Sequence, residues 1–218
     1  MIRPFGINEF WIIVLAAQWT IALSAIAFAG GGIGGLLIAL MRVSDAKWPR
    51  LIATGFIRVF QGTPLLMQLF LVFFGMNILG FAINPWLAAT VALTLHASAF
   101  LGEIWRGCIE AVPSGQREAA TALGLRYFNR MRYIVLPQAS KIAVAPTVGF
   151  LVQLIKGTSL AAIIGFTELT RQGQIINNAT FSPFMVFGTV AAIYFVLCWP
   201  LSVLARRMEV RFSRATAR

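Results

Sequence analysis

Long apolar stretches separated by short basic segments are the feature that most constrains this chain. Of its 218 residues, 59% are hydrophobic and 11% are charged, whereas a typical soluble domain carries about 25% charged residues. A membrane-spanning helix needs ~20 predominantly apolar residues in succession. Candidate spans of this kind lie at 19–41, 59–78, 85–104, 142–166 and 184–205. The sequence therefore predicts an all-α integral membrane protein of five transmembrane helices, forming a single domain over residues 1–218.

The first apolar stretch extends over residues 10–41, and its polar pair Gln18 and Trp19 predicts an interfacial break. Gly30, Gly31, Gly34 and Gly35 form two overlapping small-xxx-small patterns, which allow a second helix to approach closely. A glycine-rich phosphate loop is the alternative interpretation. It is disfavoured because these glycines lie in the middle of a span with no lysine nearby.

The formal net charge of +11 has two interpretations. Lys and Arg attract nucleic-acid phosphates, but in membrane proteins they also accumulate in cytoplasmic loops. Here the segments 42–58, 102–141 and 205–218 hold 4, 6 and 5 Lys or Arg residues. With five spans, all three segments lie on the same side of the membrane. The positive-inside rule then predicts an N-terminus outside, a C-terminus in the cytoplasm and no nucleic-acid partner.

The fourth apolar stretch is interrupted by Lys156 and three polar or small residues. Residues 142–155 cover roughly 21 Å as a helix, which is less than the ~30 Å hydrocarbon core. We therefore expect a helix break near Lys156 within the membrane, where a charged side chain needs protein or water around it. Thr158 or Ser159 is predicted to cap a restarted helix over residues 160–166.

A polar, alanine-rich segment at 114–137 separates the third and fourth stretches. Ser114 is predicted as a helix N-cap and Gly124 as the residue that ends that helix. Arg126, Arg130 and Arg132 are predicted to lie on a second short helix, and Pro137 to begin the next apolar segment. The two cysteines form no metal or disulfide pattern; Cys108 is predicted in a polar loop and Cys198 within an apolar run.

The segment Glu118-Ala119-Ala120, then Gly124, Ile134 and Leu136-Pro137, resembles the cytoplasmic coupling loop of permease subunits from bacterial ABC importers. Further stretches resemble the polar amino acid branch of that family, at 62–69, 103–107, 115–120, 136–139, 156–160 and 168–169. The resemblance covers roughly residues 20–210. This sequence departs from the family pattern at Phe100, Gly149 and Gly157, where the family usually has Tyr, Asn and Asp. These departures leave the substrate open.

The resemblance implies a type I ABC importer permease fold, placed in the bacterial inner membrane. It implies two permease subunits, identical or paralogous, around a path for a polar amino acid or close relative. Two cytoplasmic ATPases would bind ATP and Mg²⁺, an extracytoplasmic solute-binding protein would deliver substrate, and this chain would bind no cofactor or metal and catalyse no reaction. The residues implied in ATPase coupling are Arg117, Glu118, Ala119, Ala120, Leu123 and Gly124.

Polar side chains inside the predicted spans are candidates for the substrate path, because such residues are costly in lipid. They are Gln61, Gln68, His96, Ser98, Glu103, Gln153, Lys156, Thr158 and Ser159. Free N–H groups at a helix start near Thr158 and Ser159 would suit a substrate carboxylate. The alternative roles are structural: His96 as a packed, hydrogen-bonded helix residue, Gln68 and Ser98 as bridges between helices, and Glu103 as the partner of Arg106.

Two other classes of function fit the sequence less well. An intramembrane enzyme would have to use His96, Ser98, Glu103 or Cys108, but the chain has one histidine and no nucleophile–base signature. A self-sufficient channel or secondary transporter is the other alternative. Five spans without an internal repeat disfavour the inverted-repeat transporter architectures, and the segment at 114–137 would then have no role.

Overall fold

The structure, a computed structural model, describes residues 4–216, with residues 211–216 described by their backbone alone. Almost all of this range is helical, and it contains four helices long and apolar enough to cross a membrane plus one bent pair that can form a fifth span. The predicted all-α fold with five spans is therefore confirmed. The helices are α1 Ile7–Val43, α2 Lys47–Gly62, α3 Leu65–Ile78, α4 Pro85–Glu110, α5 Ser114–Ala122, α6 Tyr127–Ala162, α7 Leu169–Thr180 and α8 Pro183–Thr216.

Helix α1 is continuous through Gln18 and Trp19, so the predicted break there is wrong. Neither residue is a helix breaker; Gln18 is exposed, and the partly exposed Trp19 ring packs against Trp86 of α4, while neighbouring Ala17 and Thr20 are buried. The predicted close helix approach is confirmed, because α1 packs along α4 through its glycines. A Cβ atom placed at Gly31 would lie 2.3 Å from the Ala97 Cβ atom, so the contact requires glycine.

The second span is bent, and residues 47–62, where the sequence predicted mostly a loop, form the amphipathic helix α2. Helices α2 and α3 meet at an angle of 106°. Thr63 has extended dihedral angles (φ −116°, ψ 141°), as expected for a residue that precedes a proline. Pro64 then precedes the first residue of α3.

Helix α4 begins at Pro85, as predicted, and the Asn84 side chain accepts a hydrogen bond of 2.8 Å from the Leu87 N–H. It continues beyond the predicted end at residue 104 to Glu110. Cys108 consequently lies buried inside this helix, and the prediction that it occupies a polar loop is wrong. Ion pairs between Arg106 and Glu103 and between Arg106 and Glu110, one turn apart, compensate the charges in these last turns.

Helix α5 begins at Ser114, but Ser114 does not cap it: Pro113 occupies the N-cap position and no side chain makes a cap hydrogen bond. The fixed φ angle of Pro113 sets the direction in which the chain enters α5. The predicted cap by Ser114 is therefore wrong. The predicted second short helix is wrong too. Residues from Tyr127 onward belong to the long helix α6, in which a π turn at Met131–Val135 precedes Pro137. The wider turn accommodates a proline within the helix.

The predicted break near Lys156 takes a different form. The α-helical part of α6 ends at Gly157 and tightens into a 3₁₀ turn over Thr158–Ala162. No helix restarts over 160–166; instead the chain turns at Gly165 (φ +90°) and enters α7, which the sequence did not predict. Helices α1, α3, α4 and α6 surround the main core, which contains Leu23, Leu69, Leu93, Leu101, Phe150 and Leu154.

Candidate functional site

Helix α5 presents two different faces. Ala120 is 1% exposed and faces the protein. At 3.6 residues per turn, Glu118 and Ala122 lie on the opposite side of the helix from Ala120, and both are exposed. Leu123, which is 79% exposed, projects beyond the end of the helix. The outward face is therefore small in profile, with one carboxylate and one large apolar side chain at its edge.

The end of α5 is a Schellman turn. Gly124 has φ +74°, a value that glycine adopts without steric cost. Its N–H donates to the Thr121 carbonyl at 2.9 Å, and the Leu125 N–H donates to the Ala120 carbonyl at 3.1 Å. Both bonds belong to this motif. The prediction that Gly124 ends the helix is confirmed.

Three hydrogen bonds tie the segment around α5 to the membrane helices and to itself. The Arg117 guanidinium donates to the Ile109 carbonyl in α4 at 2.5 Å, and the Tyr127 hydroxyl donates to the Val43 carbonyl of α1 at 3.1 Å. Arg130 donates to the Thr121 hydroxyl at 2.8 Å. A displacement of α5 would therefore be passed to the ends of α1 and α4. Arg117, predicted as a contact for a partner, uses one of its N–H groups in this internal bond.

Gln68 and His96 form a polar pair inside the bundle, beside the bend between α2 and α3. The buried Gln68 amide donates to the Phe60 and Thr63 carbonyls at 2.8 and 3.0 Å, and its oxygen lies 3.0 Å from His96 Nδ1. The His96 ring also packs against Phe100 and Phe150, with centroid distances of 4.5 and 6.4 Å. The predicted bridging role of Gln68 and the packed, hydrogen-bonded role of His96 are both confirmed.

Two other candidates are also engaged within the bundle. The Ser98 hydroxyl donates to the Thr94 carbonyl at 2.8 Å and lies against Gly34 of α1. Glu103 accepts two hydrogen bonds from Arg106, at 2.9 and 2.5 Å, and lies 4.0 Å from Arg42. The alternative prediction, that Glu103 pairs with Arg106 one turn away, is confirmed.

Lys156 and Gln153 lie one turn apart on the exposed face of α6. Gln61, near the end of α2, is exposed as well. None of the three has a side-chain hydrogen bond to another described residue. The structure thus separates the candidates into a buried group around Gln68 and His96 and an exposed group on the surface of this subunit.

The prediction of free N–H groups at Thr158 and Ser159 is wrong. The Thr158 N–H bonds to the Leu154 carbonyl within the helical run. The two hydroxyls donate to the Ile155 and Lys156 carbonyls, both at 2.7 Å. Because the helix tightens here and does not restart, there is no helix start to receive a carboxylate.

Sequence reasoning missed a buried carboxylate that joins three helices. Glu168 is 0% exposed and caps α7, accepting from the Thr170 and Arg171 N–H groups at 2.9 Å each. The Tyr194 hydroxyl of α8 donates to it at 2.9 Å, and Thr20 of α1 lies 3.4 Å away. Burial raises the pKa of this carboxyl, while these donors act in the opposite direction. A glutamate directly before an amphipathic segment was the available signal for such a cap.

Residues 31–217 match the family described as the binding-protein-dependent transport system inner membrane component. The chain belongs to this family. It is a multi-pass transmembrane permease subunit of an ABC importer, as its motifs indicated. Its helical segment at 114–137 is the one that resembles the coupling loop of these permeases.

The permease is similar over nearly its whole length to several named relatives. YckA of Bacillus subtilis (strain 168), a probable amino-acid ABC transporter permease protein, is 33% identical over 211 residues, which are 95% of this chain and 92% of the relative. GlnP of Escherichia coli (strain K12), a glutamine transport system permease protein, is 34% identical over 202 residues, 92% of each chain. TcyB of Bacillus subtilis (strain 168), an L-cystine transport system permease protein, is 33% identical over 213 residues, 97% of this chain and 91% of the relative.

Solved structures agree with the fold. The permease superposes on a chain from the crystal structure of an amino acid ABC transporter with histidines with a TM-score of 0.87, at 37% identity, covering 92% of this chain and 94% of the other. It also superposes on a chain of the inward-facing MetNI methionine ABC transporter with a TM-score of 0.78. That second likeness, at 21% identity over 95% of this chain and 99% of the other, concerns the fold alone. The predicted type I importer permease fold is confirmed.

Proposed function

We propose that this permease moves a polar amino acid or a close relative into the cytoplasm, with its N-terminus outside and its C-terminus inside. The distribution of Lys and Arg between the spans supports the orientation. The names of the relatives, for glutamine, for L-cystine and for amino acids in general, support the substrate class. The partners are two ATPases that bind ATP and Mg²⁺, a second permease subunit and an extracytoplasmic solute-binding protein.

The outward face of α5 docks in a groove on the ATPase. The observation that carries this proposal is the division of α5 into a buried side at Ala120 and an exposed side at Glu118 and Ala122. Small residues on the exposed side allow close approach, and Glu118 is available for a charge-assisted hydrogen bond. Ala119 and Leu123 flank this face, and Gly124 fixes where it ends. ATP-driven closure of the two ATPases then moves α5, and its bonds to α1 and α4 pass the motion to the spans.

The substrate path follows the exposed face of α6. Lys156 places a positive charge on this face within the predicted span, and Gln153 places an amide one turn away; both become enclosed when a second subunit packs there. Lys156 attracts the substrate carboxylate, a role that the helix start at Thr158 and Ser159 cannot supply. Gln61 lies at the edge of the path. The pair of Gln68 and His96 supports its wall from inside the bundle, as do Ser98 and Glu103.

Charge reversal at Glu118 tests the docking proposal. Glu118→Lys is expected to lower ATPase co-purification and substrate-stimulated ATP hydrolysis by about tenfold or more, as for the loss of a charge-assisted hydrogen bond. Glu209→Lys is the control, because it makes the same charge change at an exposed position of α8. Full ATPase binding by Glu118→Lys would contradict the proposal, as would concentrative uptake by the permease without an ATPase.

Neutralising Lys156 tests the substrate path. Lys156→Gln is expected to reduce uptake of a substrate with a free carboxylate by about tenfold, while binding of the ATPase and the thermal stability stay unchanged because the side chain is exposed. Uptake into proteoliposomes that contain the permease and its ATPase, with the binding protein outside and ATP inside, gives the measurement. Lys141→Gln, on the same helix and also exposed, is the control. Equal uptake by both variants would remove Lys156 from the path.

A further inference from the structure

A basic pocket lies where α1, α4 and α6 meet at the end of the bundle that carries α5. Its volume is about 380 Å³. Two carboxylates, Asp45 and Glu110, share the pocket with four arginines, which leaves a net charge of two positive units. Glu110 is already paired with Arg106. The four arginines are Arg42, Arg50, Arg117 and Arg130.

Two of these arginines have buried donors without an acceptor in the described part of the chain. The Nε–H groups of Arg42 and Arg117 are buried and have no acceptor among the residues that the structure describes. A buried donor without a partner costs free energy, and the positive charge around it favours a bound anion. Arg50 and Arg130 use some of their N–H groups on the Ser44 carbonyl and the Thr121 hydroxyl. The remaining N–H groups of these two residues are available at the mouth of the pocket.

An apolar groove continues from this pocket between α1, α4 and α6. Its volume is about 830 Å³, and Ile109 lines both the groove and the basic pocket. Along α1 the groove extends from Phe28 to Ala39, which is about 17 Å of helix. That length matches one leaflet, since the hydrocarbon core is ~30 Å thick. The polar side chains that line it are hydrogen-bonded within the protein: the Trp105 indole N–H donates to the Thr147 hydroxyl at 2.9 Å, and the Ser140 hydroxyl donates to the Pro137 carbonyl at 3.0 Å.

We propose that the pocket and groove together bind one anionic phospholipid. The phosphate lies among the arginines, and an acyl chain occupies the groove between α1 and α6. Basic pockets between transmembrane helices on the cytoplasmic side are suited to anionic headgroups. A free phosphate ion shares the headgroup chemistry, but only a lipid explains an apolar groove of one leaflet's length joined to the arginines. The assignment to the inner leaflet rests on the proposed orientation, whereas lipid binding itself does not depend on transport.

The test is native mass spectrometry of the detergent-solubilised complex of permease and ATPase, titrated separately with phosphatidylglycerol, phosphatidylcholine and inorganic phosphate. We expect one phosphatidylglycerol per permease to be retained and phosphatidylcholine to be lost. Replacing Arg50 and Arg130 together by Gln should weaken phosphatidylglycerol binding about thirtyfold, from ~1 kcal/mol per basic residue near an anionic lipid surface. Because the measurement reads bound lipid, its result is separate from the success or failure of the transport proposal.

A matched control is available on α2 and α6, the helices that carry Arg50 and Arg130. Arg58 and Arg132 are exposed and lie outside the pocket, so the double variant R58Q/R132Q makes the same charge change without touching the site. It should retain phosphatidylglycerol as the wild type does. Filling the groove with Ala143→Trp should also remove the lipid while leaving ATPase binding intact. Equal retention of the two lipids, equal loss in both double variants, or displacement of phosphatidylglycerol by millimolar inorganic phosphate would each overturn the proposal.

Discussion

Adding one methyl group at Gly31 should force α1 and α4 apart. The added Cβ atom would lie 2.3 Å from the Ala97 Cβ atom and 3.2 Å from the Ala97 carbonyl carbon. Carbon atoms in good contact are ~3.5–4.0 Å apart, so the helices must separate locally by about 1.2–1.7 Å. The neighbour is a methyl group on backbone, with no rotatable end that could move aside. The whole contact between α1 and α4 must therefore widen.

The expected loss in the free energy of unfolding follows from that separation. A radial gap of ~0.5–1 Å already loses a quarter to a half of a contact's dispersion energy, and overpacking in a dense core costs about 1–3 kcal/mol. The better helix propensity of alanine returns less than ~1 kcal/mol. We expect Gly31→Ala to destabilise the permease by about 2 kcal/mol, and to lower its melting temperature by about 4–8 °C.

A graded series separates this steric cause from a general intolerance of substitution. At Gly34 the nearest atom is the Ser98 hydroxyl oxygen at 2.3 Å, which can rotate at the cost of its bond to the Thr94 carbonyl, so Gly34→Ala should cost about 1 kcal/mol. A Cβ atom placed at Gly188 in α8 would meet no described atom of another part of the chain within 4 Å, so Gly188→Ala should be neutral or stabilising by less than ~1 kcal/mol. The assay is thermal unfolding of each purified variant in detergent. Equal melting temperatures for Gly31→Ala and Gly188→Ala would refute the close approach of α1 and α4.

Two further predictions concern the coupling segment and the bend. Gly124→Ala should destabilise the end of α5 by about 1–2 kcal/mol because Gly124 has a φ of +74°. Gly115→Ala, in α5 and with equally open surroundings, should not destabilise it. Hydrogen exchange of the α5 amides measures the difference, and equal protection in the two variants would argue against the turn. Gln68→Ala and His96→Ala should be coupled by about 0.5–1.5 kcal/mol in a double-mutant cycle of thermal stability, because they share a 3.0 Å hydrogen bond. A coupling energy of zero would show that the two side chains do not interact.

The bend between α2 and α3 illustrates why part of the fold could not be predicted from the sequence. Thr63 is extended for a local steric reason, because it precedes Pro64. The 106° angle, however, depends on where α2 finds its partners. Gln68 holds that angle by reaching back to Phe60 and Thr63. The direction of α2 relative to α3 therefore depends on contacts that the local sequence does not specify.

The same distinction applies to the candidate site. Gly124 was predictable because its φ value and hydrogen bonds lie within one turn of chain. Glu168 was not, because Thr20, one of its partners, is 148 residues away in the sequence. For Lys156 and Gln153 the sequence identified polar residues inside an apolar segment, and only packing showed that they lie on the exposed face of α6.

The amino-acid sequence by itself determined that this chain is a helical membrane protein, how many spans it has, and which segment resembles a coupling loop. It did so because lipid requires every spanning backbone group to be bonded within a helix, so length and hydrophobicity suffice to locate spans. Only the tertiary structure decided which polar residues meet one another, how the second span bends, and where arginines and an apolar groove adjoin. Those features depend on contacts between distant helices, and local patterns of sequence do not specify the partner.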